Sequence, residues 1–209
     1  MAVICPAILA EDPKTYNQQM VVAAGFARRL HLDVMDGVLT PTRSPQLSQV
    51  TPPKDTKLDI HVMFEQPAAE LNALLALKPN MVIVHAEAQG NFVDIARRLH
   101  EHGVKAGVAL LPQTKPETIQ PALEHIDHVL VFSGDLGRFG GMADVAHLRK
   151  VAWCRQQKPS LEIGWDGGVN DENIKELAAG GVDVLNVGSY IQRADNPKRR
   201  FAKLQSLLD

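Results

Sequence analysis

Short apolar runs rich in Val, Ile and Leu recur along the chain, separated by longer stretches in which apolar residues return at helical spacing. Runs of this kind at residues 3–9, 29–34, 58–63, 81–85, 106–110, 128–132, 161–165 and 184–187 predict eight strands. Helical periodicity predicts helices over 13–24, 67–77, 92–102, 116–125, 143–157, 172–179 and 197–208. The segment 37–53 is rich in Pro and Thr and predicts no helix. Strands alternating with helices give a parallel sheet, and eight such units in one domain spanning 1–209 predict an α/β fold, a (β/α)8 TIM barrel. A doubly wound open sheet is the competing architecture.

Composition narrows the function classes. Lys plus Arg number 22 against 24 Asp plus Glu, and the only basic cluster is Lys198–Arg199–Arg200, so an electrostatic nucleic-acid partner is not expected. No apolar run reaches the roughly 20 residues needed to cross a bilayer, and no membrane partner is expected. The start of the chain lacks the cationic segment of a signal peptide. With only Cys5 and Cys154, in no metal-finger spacing, the sequence predicts a reducing, cytoplasmic setting.

A barrel places its chemistry at the C-terminal ends of its strands. There the sequence reads His31-Leu-Asp33-Val-Met-Asp36-Gly, Asp59-Ile-His61-Val-Met, His85-Ala-Glu87 and Gly164-Trp-Asp166-Gly-Gly. His31 and Asp33 are two apart on one strand and share a face. With His61 and Asp166 they form a mixed N/O donor set suited to one divalent cation, Zn, Fe, Mn or Co. Glycines cluster in the loops after strands six, seven and eight: Gly137, Gly140 and Gly141, then Gly167 and Gly168, then Gly188 with Ser189. Backbone N–H groups approach a phosphate closely where side chains are absent, and these loops hold the usual phosphate site of such barrels. A cation, a phosphate grip and two central carboxylates predict proton transfer on a small phosphorylated sugar. Asp33 and Asp166 would act on opposite faces of a planar ene-diolate, which is epimerisation. His100, His102, His125, His128 and His147 read as surface or capping residues, and Cys5 as a buried thiol near the mouth.

Pro6-Ala-Ile-Leu9, His31 to Gly37, Asp59 to Met63, Val84 to Glu87, Phe139-Gly-Gly141, Asp166 to Val169 and Gly188-Ser189 together resemble, in order and spacing, the ribulose-phosphate 3-epimerase family. The resemblance spans nearly the whole chain. It implies a barrel with metal ligands His31, Asp33, His61 and Asp166, acid/base roles for Asp33 and Asp166, and backbone phosphate binding at the glycines and Ser189. It also implies a cap over the site at Met35, Met63 and Phe132, a homo-oligomer, and action on D-ribulose 5-phosphate or, in a hexulose branch, D-allulose 6-phosphate. The chain departs from the family pattern at five places. Ala7 stands where a serine is usual, Val38–Thr42 replace a substrate-covering segment, and Phe132 replaces a third methionine. Arg138 enters the glycine loop, where it could pair with phosphate or carboxylate. Trp165 would narrow the site if it points inward. These departures leave open altered specificity or a sugar-phosphate-binding barrel without catalysis. Related decarboxylases and synthases need Asp-x-Lys-x-x-Asp on strand three, where this chain has Asp59-Ile-His61-Val-Met-Phe64.

Overall fold

In the computed structural model, which describes residues 2–138 and 140–209, eight parallel strands pair in chain order and the last closes on the first. They are β1 (Val3–Ile8), β2 (Arg29–Met35), β3 (Lys57–Met63), β4 (Met81–His85), β5 (Lys105–Leu110), β6 (His128–Phe132), β7 (Glu162–Asp166) and β8 (Val184–Val187). Val3 stands opposite Val184 and Ala7 opposite His31, so β1 joins both neighbours and no edge remains. The open-sheet alternative is thereby excluded.

Helices α1 (Pro13–Ala24), α2 (Leu71–Ala76), α3 (Phe92–Glu101), α4 (Leu148–Gln157), α5 (Ile174–Ala179), α6 (Ser189–Gln192) and α7 (Pro197–Leu208) lie outside the barrel. Asp12 caps α1 by accepting from Thr15 N–H at 2.9 Å, with Pro13 at the first helical position, where its missing N–H costs nothing. Three expected helices are shorter or tighter than their periodicity suggests. Residues Pro116–His125 form a 3₁₀ helix interrupted by Pro121, which cannot donate a backbone bond. The 67–77 and 143–157 helices each begin with a 3₁₀ turn, Pro67–Glu70 and Val145–His147. Four-residue α6 was not foreseen, whereas the segment after β2 forms no α-helix, as expected. No helix among the described residues is long and apolar enough to cross a membrane.

Side chains alternate along every strand. On β2, Leu30, Leu32 and Val34 are fully buried between barrel and helices, while Arg29, His31 and Asp33 point into the barrel. Its interior divides into three levels. An ionic cluster fills the base: Arg29 bonds Asp59 through Nε at 2.5 Å and Glu162 through both terminal nitrogens at 2.9 and 2.7 Å. His128 Nδ1 lies 2.9 Å from Glu162, and Asn80 donates to Asp59 at 2.7 Å. His128 is therefore a buried interior residue, and His147, at the start of α4, is buried too and makes no side-chain capping bond; neither is the surface or capping group its position near a helix suggested. Met81, Ile83, Ala109 and Leu130 form an apolar cluster within the barrel. Polar groups again occupy the C-terminal mouth.

Candidate active site

His31 and Asp33 enter the mouth from β2, His61 from β3 and Asp166 from the end of β7. One nitrogen or oxygen from each lies within 4.8 Å of the others, and all four residues are buried. His61 Nδ1 is 2.9 Å from Asp33 Oδ1 and 3.7 Å from Asp166 Oδ2. His31 Nε2 is 3.4 Å from Asp33 and 3.5 Å from Asp166, close enough for charge attraction, yet neither nitrogen of this buried ring has a well-aligned hydrogen-bond partner. Tyr16, fully buried on α1, donates its hydroxyl to the Asp33 carbonyl at 3.1 Å and fixes that stretch of β2.

The electrostatics favour positive charge between the two carboxylates. Burial pushes His31 down, but its contacts with Asp166 and Asp33 outweigh that and hold it at about 10. Burial pushes Asp33 up, yet His31 and His61 bring it to about 2. Without a metal, an imidazolium proton supplies the positive charge between the carboxylates. Orphaned imidazole nitrogens on His31 and a two-nitrogen, two-carboxylate donor set whose atoms lie within 4.8 Å of one another fit a divalent ion.

A chain of hydrogen bonds runs from this cluster into the barrel wall. His61 Nε2 is 2.8 Å from His85 Nε2, and His85 Nδ1 is 3.2 Å from Glu87 Oε2. Glu87 also accepts from Leu111 N–H and the Thr114 hydroxyl. These bonds and His85 outweigh burial and hold the Glu87 carboxyl below its ordinary range. An ionised Glu87 takes the His85 Nδ1 proton bond, so His85 Nε2 accepts from His61 Nε2–H. With that tautomer His61 Nδ1 would offer its lone pair to a bound cation, in place of the 2.9 Å contact it makes with Asp33 Oδ1. Thr114 and the His61–His85 contact were not legible from spacing, although His85 and Glu87 stood out as candidate partners.

The neighbouring cavity, about 240 Å³, is lined by Asp33 and Asp166 together with Gly140, Gly141, Gly167, Gly168, Gly188 and Ser189. The expected phosphate residues therefore lie beside the expected acid/base pair, while Phe139 of the glycine motif falls outside the described residues. Gly167 has φ +108°, and a Cβ there would stand 2.0 Å from the Ser133 carbonyl oxygen. Only glycine lets these two loops meet. Met63 and Phe132 line this cavity, as does Ala7; Met35 instead faces an adjacent groove with Arg43 and Phe64. Trp165 does not narrow the site. Its neighbour Asp166 points inward, so Trp165 points outward, fully buried against the helices, with Nε1 donating to Gly167 O at 3.0 Å. Asp36, the second carboxylate of the strand-two motif, accepts from Val38 and Leu39 N–H at 2.8 and 3.1 Å and from Glu65 N–H at 2.6 Å. It shapes the loop after β2 and is no part of the cluster.

The sequence matches the Ribulose-phosphate 3 epimerase family over residues 3–192. It is 32% identical to a ribulose-phosphate 3-epimerase of Helicobacter pylori, with 98% of this chain and 97% of that protein covered. A ribulose-phosphate 3-epimerase of Bacillus subtilis is 30% identical over 98% of this chain and 99% of its own length. Among solved structures, a 3-hexulose-6-phosphate synthase superposes with a TM-score of 0.78 at 15% identity, covering 98% of each chain. A 3-keto-L-gulonate-6-phosphate decarboxylase from Vibrio cholerae gives 0.73 at 13%, covering 100% of this chain and 97% of that one. At such identities the structures share the barrel alone. The full-length sequence matches thus identify the chain as a member of the ribulose-phosphate 3-epimerase family and an isomerase of the epimerase type.

Proposed function

We propose that this protein is a metal-dependent 3-epimerase that interconverts D-ribulose 5-phosphate and D-xylulose 5-phosphate, with Asp33 and Asp166 as the proton-transfer pair. The observation that carries this reading is the junction of the buried His31, Asp33, His61 and Asp166 cluster with the glycine-lined cavity. His31, Asp33, His61 and Asp166 would hold the divalent ion, which supplies Lewis acidity toward the C2 carbonyl and C3 hydroxyl oxygens of the sugar. Backbone N–H groups of Gly140, Gly141, Gly167, Gly168, Gly188 and Ser189 hold the phosphate, so that C3 lies near the carboxylates. The ionised Asp33 takes the C3 proton from one face, and a protonated Asp166 gives one to the other. In the reverse direction the roles exchange, and solvent resets the pair. The carboxylates rise from β2 and β7, strands separated in the barrel by β1 and β8, as two-sided attack requires. Met63 and Phe132 border the reacting carbons with apolar surface and limit water. A single-domain, cytoplasmic homo-oligomer completes the reading carried over from the family.

Incubation of the metal-loaded protein in D₂O with D-ribulose 5-phosphate, and separately with D-allulose 6-phosphate, tests it by NMR. Deuterium at C3 together with the 3-epimer is expected from the pentulose. Asp166→Asn should lower turnover about 10³-fold with the fold retained. Faster exchange with the hexulose would reassign the substrate. Absence of exchange with both, from folded and metal-bound protein, would favour a binding barrel without catalysis.

A further inference from the structure

β2 and β6 stand diametrically opposite in the closed barrel, yet the loops that follow them are tied together. The Thr40 hydroxyl donates to the Leu136 carbonyl at 2.9 Å, and the Thr42 hydroxyl to the Gly137 carbonyl at 2.7 Å. Thr40 is buried although it belongs to a loop. The partner turn is drawn tight: Arg138 N–H donates to Asp135 O at 3.1 Å, and Gly137 has φ +75°. A Cβ on Gly137 would stand 2.2 and 2.3 Å from the two threonine hydroxyls, so the strap crosses the mouth in a space that glycine alone leaves open.

This strap delivers Arg138 to the wall of the cavity lined by Gly140, Gly141, Gly167, Gly168 and Ser189. Among the described residues no carboxylate lies within ion-pair range of Arg138, while Asp33 and Asp166 are engaged with His31 and His61. Arg193, at the end of α6, brings a second cation to the same cavity. An unpaired guanidinium beside a glycine-lined wall is a complement for a phosphate dianion, and a turn already fixed loses less entropy on binding than a mobile one.

We propose that Arg138 binds the substrate phosphate directly, and that Thr40 and Thr42 are positioning residues that hold its turn across the barrel mouth. The sugar-phosphate reading above supplies the ligand, so the first probe is inorganic phosphate, whose binding does not depend on turnover. Calorimetric titration at constant ionic strength should show Arg138→Ala weakening phosphate binding about tenfold and Arg138→Lys weakening it less. The double variant Thr40→Val/Thr42→Val should weaken it by a similar factor. Thr40→Ser/Thr42→Ser, which keeps both donors, should restore binding to within about twofold. In the Arg138→Ala background the valine pair should add less than about a twofold loss. With D-ribulose 5-phosphate the same variants should raise KM while kcat changes by less than about threefold. Wild-type phosphate affinity in Arg138→Ala, a full additive effect of the valine pair in that background, or no phosphate binding by the wild type would each overturn the proposal. A wild type that fails to epimerise while these phosphate shifts appear would overturn the substrate assignment and uphold the strap.

Discussion

Replacing Arg29 by Met tests whether the ionic cluster at the barrel base is structural. The side chain is 13% exposed and joins Asp59, 1% exposed, to Glu162, 27% exposed. Arg29→Met keeps much of the aliphatic volume but removes three charge-assisted bonds at 2.5, 2.9 and 2.7 Å, leaving Asp59 with Asn80 as its remaining side-chain donor. Breaking a buried ion pair costs about 3–5 kcal/mol, and the partial exposure of Glu162 places this case near the lower end. For a chain of this size, about 3 kcal/mol lowers Tm by roughly 6–12 °C. The pH dependence sharpens the test. Burial raises the Glu162 carboxyl, but bonds from His128 and Arg29 outweigh it and hold the group well below its ordinary range. Because the folded value is depressed, its stabilisation is fully present above the unfolded value of about 4.5 and is lost as pH falls toward the folded value. Loss of the Arg29 bonds leaves the variant's folded Glu162 less depressed than the wild type's, so the variant takes up a proton there more readily in acid and the gap between the two should be largest near neutrality and narrower at pH 4. Thermal unfolding followed by circular dichroism at both pH values measures it. A fall of less than about 2 °C at neutral pH, or a gap that does not narrow in acid, would refute the reasoning.

Two further substitutions probe the mouth. Glu87→Gln should weaken divalent-metal affinity about 10–100-fold, measured by competition with a chelator, because Glu87 orients His61 through His85; unchanged affinity would remove the relay from the site. Gly167→Ala, whose Cβ would lie 2.0 Å from Ser133 O at a φ of +108°, should cost about 2–4 kcal/mol in urea unfolding and weaken phosphate binding. Wild-type stability in that variant would mean that the β6 and β7 loops separate without cost.

The difference between what the sequence disclosed and what it concealed follows from strand parity and barrel closure. His31 and Asp33 share a face by their spacing, and the paired register Asp33 with His61 carries that face onto β3. The same parity already held the answer for Trp165: an inward Asp166 obliges its neighbour to face outward, and an inward Phe132 obliges Leu130 and His128 to face inward with it. The inward place of His128 and the outward place of Trp165 both follow from that parity. No local pattern, however, could pair Arg29 with Glu162, 133 residues away, because β2 and β7 reach one another only across the interior of a closed barrel. Nor could spacing join Thr40 to Leu136, 96 residues on, since the two loops meet only where opposite strands end at a common mouth. Both cross-barrel contacts involve side chains whose types are ordinary in surface loops and strand ends. Their significance lies in closure, which converts a local substitution in the Val38–Thr42 segment into a constraint on Arg138. The departures from the family pattern at Val38–Thr42 and Arg138 therefore meet in one pair of tied loops, and should be altered together when the proposed phosphate contact is tested.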